Sequence, residues 1–282
     1  MSTPFQPFGD GAPLCIAYGL GVDSTAVLVG LHQRGIRPDV ITFADTGGEW
    51  PETYAYLPVI NAWLRSVGFP EVVVVRKDCS GHGRYDTLEG NCLANETLPG
   101  LAFGGKSCSI KWKAVVQDAY RKTLPFIKAA WAKGIRARVA IGYDAGPKDS
   151  KRSAIAEDTK YTYWYPLRDW GWDREECMRQ IAAAGLPVPR KSACFFCPSL
   201  KPAELTELVE KHPDLADRII AIEAAAKPKL TAIQGLWRNG CKGTRGAEAR
   251  PGSMTVFIEA LRAKRALPVL QTTPQACGGC EA

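Results

Sequence analysis

The chain has 282 residues, 46% of them apolar and 23% charged, with a formal net charge of +7. That balance excludes a disordered or fibrous chain and fits one large or two small globular domains. No apolar run reaches the roughly 18 residues of a membrane-spanning helix, and the net positive charge is modest, so it is the local basic clusters that suit a polyanionic ligand, nucleotide or nucleic acid. Met1 to Pro13 lacks a basic region followed by an apolar core, so no secretory signal is expected and a cytoplasmic location follows by default. Ten cysteines in such a chain point to metal or redox chemistry rather than to a disulfide framework.

In chain order, Leu14–Tyr18 is short and apolar and reads as a buried strand. Gly19 and Gly21 follow, and glycine permits torsions and approaches that a Cβ would block. Asp23, Ser24 and Thr25 then open an apolar-periodic run, Ala26 to Leu31, as helix-starting residues do. Such a turn aims free N–H groups and a helix dipole at one point, which makes an anion site. It is not a Walker A loop, because no lysine precedes Ser24. A dinucleotide fingerprint would need a third glycine where Ser24 stands, although Asp45 is placed loosely where its acidic partner belongs.

Asp39 to Ala44 is a second strand, ending in Asp45-Thr-Gly-Gly-Glu49. Pro51 to Val67 is a helix with proline at an acceptable first position. Glu71 to Val75 is an almost wholly β-branched third strand of the kind found in a parallel sheet covered on both faces. Asp78 to Ser107 breaks the pattern: it is long, polar and glycine-rich, with Cys79, His82, Cys92 and a Gly104-Gly-Lys106 turn, and reads as a lid. Ser109 to Ala132 is helical, divided at Pro125. Ala137 to Gly142 is a fourth strand, Asp144 to Asp158 a charged loop and helix, and Tyr161 to Tyr165 a short aromatic strand.

Asp173 caps a helix running to Ala184, with Glu176 three residues on. Helices over Pro202–Lys211, Pro213–Ala226 and Ser253–Ala266 complete the chain, while Lys227 to Gly252 resists assignment. Strands alternating with helices predict an α/β fold: a twisted, mostly parallel, Rossmann-like sheet flanked by helices. The expected organisation is a nucleotide-binding domain over 1–200 and, packed on it, a helical extension with a cysteine tail over 201–282.

Two cysteine pairs have C-x-x-C spacing, Cys194/Cys197 and Cys277/Cys280. Two thiolates at that spacing hold one metal but need two more ligands for tetrahedral zinc or a [4Fe–4S] cluster. Cys15 and Cys177 lie in apolar-periodic segments and read as buried fillers. Basic residues cluster at Lys106–Lys113, Arg136–Arg138 and Lys148–Arg152. Ligands of open α/β sheets bind beyond the carboxyl ends of the strands. Gly19–Thr25, Asp45–Glu49, and Gly142–Asp144 with Lys148, Lys151 and Arg152 all fall there.

Six segments, in order, resemble those of the phosphoadenosine phosphosulfate (PAPS) reductase family and its superfamily. Gly19-Leu-Gly-Val-Asp-Ser-Thr25 resembles the Ser-Gly-Gly-x-Asp-Ser pyrophosphate (PP) loop of the adenine-nucleotide α-hydrolase-like enzymes to which that family belongs, with Gly19 for the serine and Leu20 for the first glycine. Phe43 to Leu57 is similar to the family's Ala-Asp-Thr-Gly-x-x-x-Pro-Glu-Thr-Tyr segment, and Lys106 to Lys113 to its Cys-x-x-x-x-Lys. Gly142 to Arg152 matches loosely its Gly-x-Arg-x-x-Glu-Ser-x-x-Arg, with Asp144 and Ser150 as candidate equivalents. Tyr165 to Trp170 resembles Pro-Leu-x-Asp-Trp, and Cys194 to Pro198 resembles Cys-x-x-Cys-Pro.

The resemblance implies nucleotide contacts from Tyr18, Gly19, Leu20, Gly21, Val22, Asp23, Ser24 and Thr25, from Phe43, Asp45 and Thr46, and from Gly142, Asp144 and Arg152. The reductases generally lack the full motif with its aspartate, whereas the ATP-cleaving relatives carry it. A carboxylate beside pyrophosphate needs a bridging cation, and Mg²⁺ is hard and oxygen-seeking. Asp23 therefore favours Mg-ATP over PAPS, with Lys106, Lys111 and Arg152 as further cations for the departing pyrophosphate.

The implied activity is cleavage of ATP to AMP and pyrophosphate, adenylating a substrate in sulfur transfer. A sulfur-donor protein or a nucleic-acid acceptor would be the partner, and no membrane is involved. By the same resemblance Cys108 and one tail cysteine join Cys194 and Cys197 on the metal. With Cys277 as that ligand, Cys280 is the free thiol. Two rival readings stand: a sulfonucleotide reductase attacking through a tail cysteine, although Ala276-Cys-Gly-Gly-Cys-Glu281 departs from the usual Glu-Cys-Gly-Leu-His, and a non-catalytic metal-knot module contacting nucleic acid.

Overall fold

The computed structural model describes residues 11–81, 83–102, 105–147, 149, 151–152, 154–243 and 248–266, with the side chains of 101, 102, 105 and 106 left aside. The chain divides into two compact units, Met1–Cys197 and Pro198–Ala282.

The first unit is an α/β fold built on five parallel strands. They are β1 (Leu14–Tyr18), β2 (Val40–Asp45), β3 (Val72–Arg76), β6 (Ala137–Ile141) and β7 (Tyr161–Trp164), in the order β3-β2-β1-β6-β7. A two-stranded antiparallel hairpin, β4 (Leu101–Ala102) and β5 (Gly105–Lys106), stands apart from this sheet. Ile16 lies opposite Ile41 on one side and Ala140 on the other. The chain leaves β1 outward to β2 and β3, then crosses back to β6. The strand order therefore reverses between β1 and β6, and ligands of open sheets bind at such a point.

Alternation along β1 distributes its side chains between two cores. Leu14, Ile16 and Tyr18 pack on one face with Ile41, Phe43, the apolar stripe of α1 (Val22–Gln33), and Cys177 and Ile181 of α7 (Arg174–Ala183). Cys15 faces the other way, with Val40, Val139, Tyr161 and Ile127. Cys15 and Cys177 are fully buried, and burial pushes each thiol up to about 12, as fillers require. α2 (Pro51–Ser66) follows β2, with Pro51 at its first turn.

Three local differences from the sequence reading have physical causes. The 78–107 stretch holds a helix, α3 (Leu88–Asn95), capped by Thr87, whose Oγ1 accepts the Gly90 N–H at 3.0 Å. Leu88 and Cys92, one helical turn apart, are its buried positions. The 109–132 region starts as a π-helical turn (Ser109–Ala114), continues as α4 (Val115–Arg121), and resumes after Pro125 as α5 (Pro125–Ala132). No helix forms among the described residues of 144–158, because Asp144 Oδ1 takes the Gly146 N–H at 2.8 Å and turns the chain before Pro147. A short helix, α6 (Pro166–Asp169), follows β7.

The second unit packs α8 (Pro202–Lys211), α9 (Pro213–Ala226) and α10 (Met254–Ala266). Its unassigned stretch is pinned to Glu223 of α9. That buried carboxylate accepts N–H groups of Leu236, Met254 and Thr255 at 2.6 to 2.9 Å and the Ser253 hydroxyl at 2.5 Å. No described helix is long and apolar enough to cross a membrane.

Candidate nucleotide and metal site

The loop after β1 is held by its own serine. Ser24 Oγ accepts the Gly19 N–H and donates to the Gly21 carbonyl, both at 3.1 Å. Helix α1 begins at Val22 behind Gly21, an N-cap without a side-chain bond, so Asp23 sits inside the first turn. First-turn N–H groups have no acceptor within their helix and carry the positive dipole end. Leu20 adopts φ +57°, a left-handed conformation, with its side chain fully buried. Tyr18, Val22 and Thr25 are also buried, and Tyr18 Oη lies 3.0 Å from Thr25 Oγ1. Backbone N–H groups, Asp23 and Ser24 are thus what this loop offers a ligand.

Gly142, the first residue after β6, lies directly against it: a Cβ there would stand 2.9 Å from the Ser24 nitrogen. That contact brings the following loop alongside. Oxygens of Asp23, Asp144 and Asp149 lie within 4.8 Å of one another, the one such gathering of three His, Cys, Asp or Glu among the described residues. Burial raises the Asp23 carboxyl above its ordinary range; Arg174 opposes this, and Asp144 and Asp149 add to it. Arg174 Nη1, at the start of α7, is 2.7 Å from Asp23 Oδ1, and Arg152 Nε is 3.0 Å from Asp149 Oδ1. Three hard oxygen donors fit Mg²⁺ by type and would fill part of its octahedral shell, leaving the remaining positions to phosphate and water. Beside them Tyr143 and Tyr165 stack at 5.4 Å, and the Arg152 guanidinium sits 4.8 Å from the Tyr143 ring.

A second centre surrounds the cysteine turn. Glu49 pairs with Cys194 in an isolated antiparallel bridge, and the Phe195 N–H reaches the Gly48 carbonyl at 2.8 Å. Gly21 abuts this segment, since a Cβ on it would lie 3.2 Å from Ser192 Cβ. The Glu49 carboxylate is wholly buried, 2.8 Å from Lys113 Nζ and 3.4 Å from Ser192 Oγ. Burial lowers the Lys113 pKa, but the Glu49 carboxylate beside it works strongly the other way, and the balance lies above the ordinary lysine value, so Lys113 is a firmly held cation. Cys194 Sγ lies 3.1 Å from Thr46 Oγ1. Burial and then Glu49 push the thiol up to about 12, while Lys113 pulls the other way. Cys194 is therefore a thiol at neutral pH, and a metal would have to displace its proton.

Several expected site residues stand elsewhere. Asp45 is buried and fully used: Tyr54 Oη and the Gly47 N–H donate to one oxygen, and Arg76 grips the other at 2.8 and 3.0 Å. Phe43 belongs to the core. Lys111 lines a separate cavity of about 540 Å³ between β3 and α4. Cys108 is half-buried ahead of the π-helical turn and does not join Cys194 and Cys197 in a gathering of three. The Lys106 backbone lies in β5, but its side chain, and all of His82, Lys148, Ser150, Cys277 and Cys280, lie outside the described residues. Arg174 and Asp149 were not singled out from sequence, and Glu49 and Lys113 appeared there only in separate segments, not as a pair. Only the partner that folding supplies marks them, as with Arg174, 151 positions from Asp23.

No protein-family model and no curated protein matches the chain, so its site is read from geometry and residue chemistry.

Proposed function

We propose that the chain is a pyrophosphate-loop enzyme similar to the PAPS reductase family. It would bind Mg-ATP at Gly19–Thr25 and cleave it to AMP and pyrophosphate, adenylating a substrate in sulfur transfer. The observation that carries this reading is the gathering of Asp23, Asp144 and Asp149 against the N-terminus of α1 at the strand-order reversal. A helix N-terminus attracts phosphate, and three carboxylates beside phosphate repel it unless a cation lies between them. Asp23, Asp144 and Asp149 would hold that Mg²⁺, which when bound supplies charge neutralisation at the pyrophosphate. Arg152 and Arg174, each paired with one of these carboxylates, would add positive charge as pyrophosphate departs. Cys194 and Cys197, with a tail cysteine, would hold zinc or an iron–sulfur cluster, leaving the other tail cysteine for sulfur chemistry; Cys108 would have to shift to complete the set.

The test is calorimetric titration of anaerobically purified protein with Mg-ATP and with PAPS, beside Asp23→Ala. Micromolar Mg-ATP binding that weakens at least about tenfold in the variant, a difference of about 1.4 kcal/mol, supports the adenylating reading; pyrophosphate release is then the assay. Preference for PAPS with Asp23 irrelevant overturns it in favour of a reductase. Binding of neither, with salt-dependent oligonucleotide binding, favours the non-catalytic module.

A further inference from the structure

On the sheet face opposite α1, α5 covers only part of β6 and β7. Beside α4 a cavity of about 530 Å³ remains, within the usual range for organic ligands, roughly 300–1,000 Å³. Ala17, Val139, Ile141 and Tyr163 line its apolar side; α4 and residues 155–160 supply the rest.

Into this apolar setting α4 brings a guanidinium. Arg121, the last residue of the helix, is 5% exposed, and its Nε and Nη1 are buried without an acceptor. Neither carboxylate bordering the cavity accepts a hydrogen bond from Nε or Nη1, although Asp118 lies close enough to feel the guanidinium charge. Asp118 is held by Lys122 Nζ at 2.5 Å, and Asp158 Oδ1 takes the N–H groups of Lys160 and Tyr161 at 2.7 Å each. The Tyr161 ring lies 5.2 Å from Arg121 Cζ, and its hydroxyl, a neutral neighbour of Asp118 and Arg121, makes no well-aligned hydrogen bond to the guanidinium. A buried cation with unfilled donors is costly, and an anion is what relieves it.

We propose that this cavity binds a small organic acid, an apolar body bearing one carboxylate or sulfonate, with Arg121 as its charge partner. A bare hydrated phosphate would leave the apolar side uncovered. Nε and Nη1 are out of reach of solvent as they stand, so engagement involves rotation of the guanidinium toward the adjoining space. The cavity shares no lining residue with the Asp23 cluster, and the proposal does not depend on the nucleotide reading.

The experiment compares two fluorescent probes with the same ring systems on the full-length protein. These are 8-anilinonaphthalene-1-sulfonate and its uncharged counterpart N-phenyl-1-naphthylamine. The expected result is saturable one-to-one binding of the sulfonate, at least about tenfold tighter than the neutral probe, since an ionic hydrogen bond contributes that much or more. Arg121→Met should abolish the discrimination, and Ile141→Trp, which fills the cavity but keeps the guanidinium, should weaken both probes. Thermal melts identify a variant that fails to fold; the remaining variant and the wild-type probe ratio then decide. Equal affinity for the two probes, absence of saturable binding, or discrimination that survives Arg121→Met in folded protein overturns the proposal.

Discussion

Leu20 sets two residue-scale effects against each other. Its φ of +57° costs an L-residue about 1–2 kcal/mol. Replacing it with glycine removes that strain but also deletes a fully buried side chain, and leucine-to-alanine cavities alone cost about 2–5 kcal/mol. The cavity wins: Leu20→Gly should lower unfolding stability by about 2 kcal/mol, read by urea denaturation. Asp23 points the other way. Its carboxyl is raised by burial in the folded state, so the fold disfavours the ionised form. That penalty is fully present above the raised folded value and absent below the ordinary unfolded one. Asp23→Asn should therefore stabilise the protein at pH 7, the gain vanishing as pH falls through the ordinary carboxylate range, while Mg-ATP binding is lost. A variant less stable at pH 7 than wild type would show that the Arg174 pair outweighs burial.

At the scale of elements, Glu223 does for α10 what a local cap does elsewhere, from a different helix. Its carboxylate takes the Met254 and Thr255 N–H groups, the Ser253 hydroxyl and the Leu236 N–H. Glu223→Ala strands all four donors, and a loss of about 3 kcal/mol in unfolding free energy is expected; a change under about 1 kcal/mol would mean that water replaces the carboxylate. This cap also explains what sequence could and could not say. The spans of β1, α8 and α9 were legible because hydrophobic period and Pro/Gly punctuation are local signals. The 227–252 stretch was not, because its organising bonds reach back to α9. Likewise α3 offered only a Thr87 cap and two buried positions, too little periodicity to stand out from a polar, glycine-rich stretch.

At the scale of the molecule, the strand order places the β1 loop and the β6 loop side by side. The sequence could propose that meeting only from strand ends; Gly142 against Ser24 gives it contact. The members of the carboxylate cluster were only partly legible: Asp23 and Asp144 stand in recognisable segments, whereas Asp149 is recruited by the fold of a loop read as partly helical. Asp45 shows the converse, a motif residue whose carboxylate the fold spends on Arg76, Tyr54 and a turn. If Mg-ATP binds the native state alone, saturation at about 100 times Kd adds about 2.7 kcal/mol. That should raise Tm by roughly 5–10 °C in scanning calorimetry. Asp23→Ala should show no such shift, and an unchanged Tm in the wild type would count against the nucleotide site.

Strand β3 ends the sheet, and its four successive valines include Val74, 40% exposed. A flat, β-branched edge is a template on which another extended chain can grow. Asn61 Oδ1 occupies the Val72 N–H at 2.9 Å, and Arg76 and Lys77 place charge at the strand's far end. The molecule thus carries its own guards against intermolecular sheet growth, and Asn61→Ala with Lys77→Ala should fibrillise faster on heating than wild type.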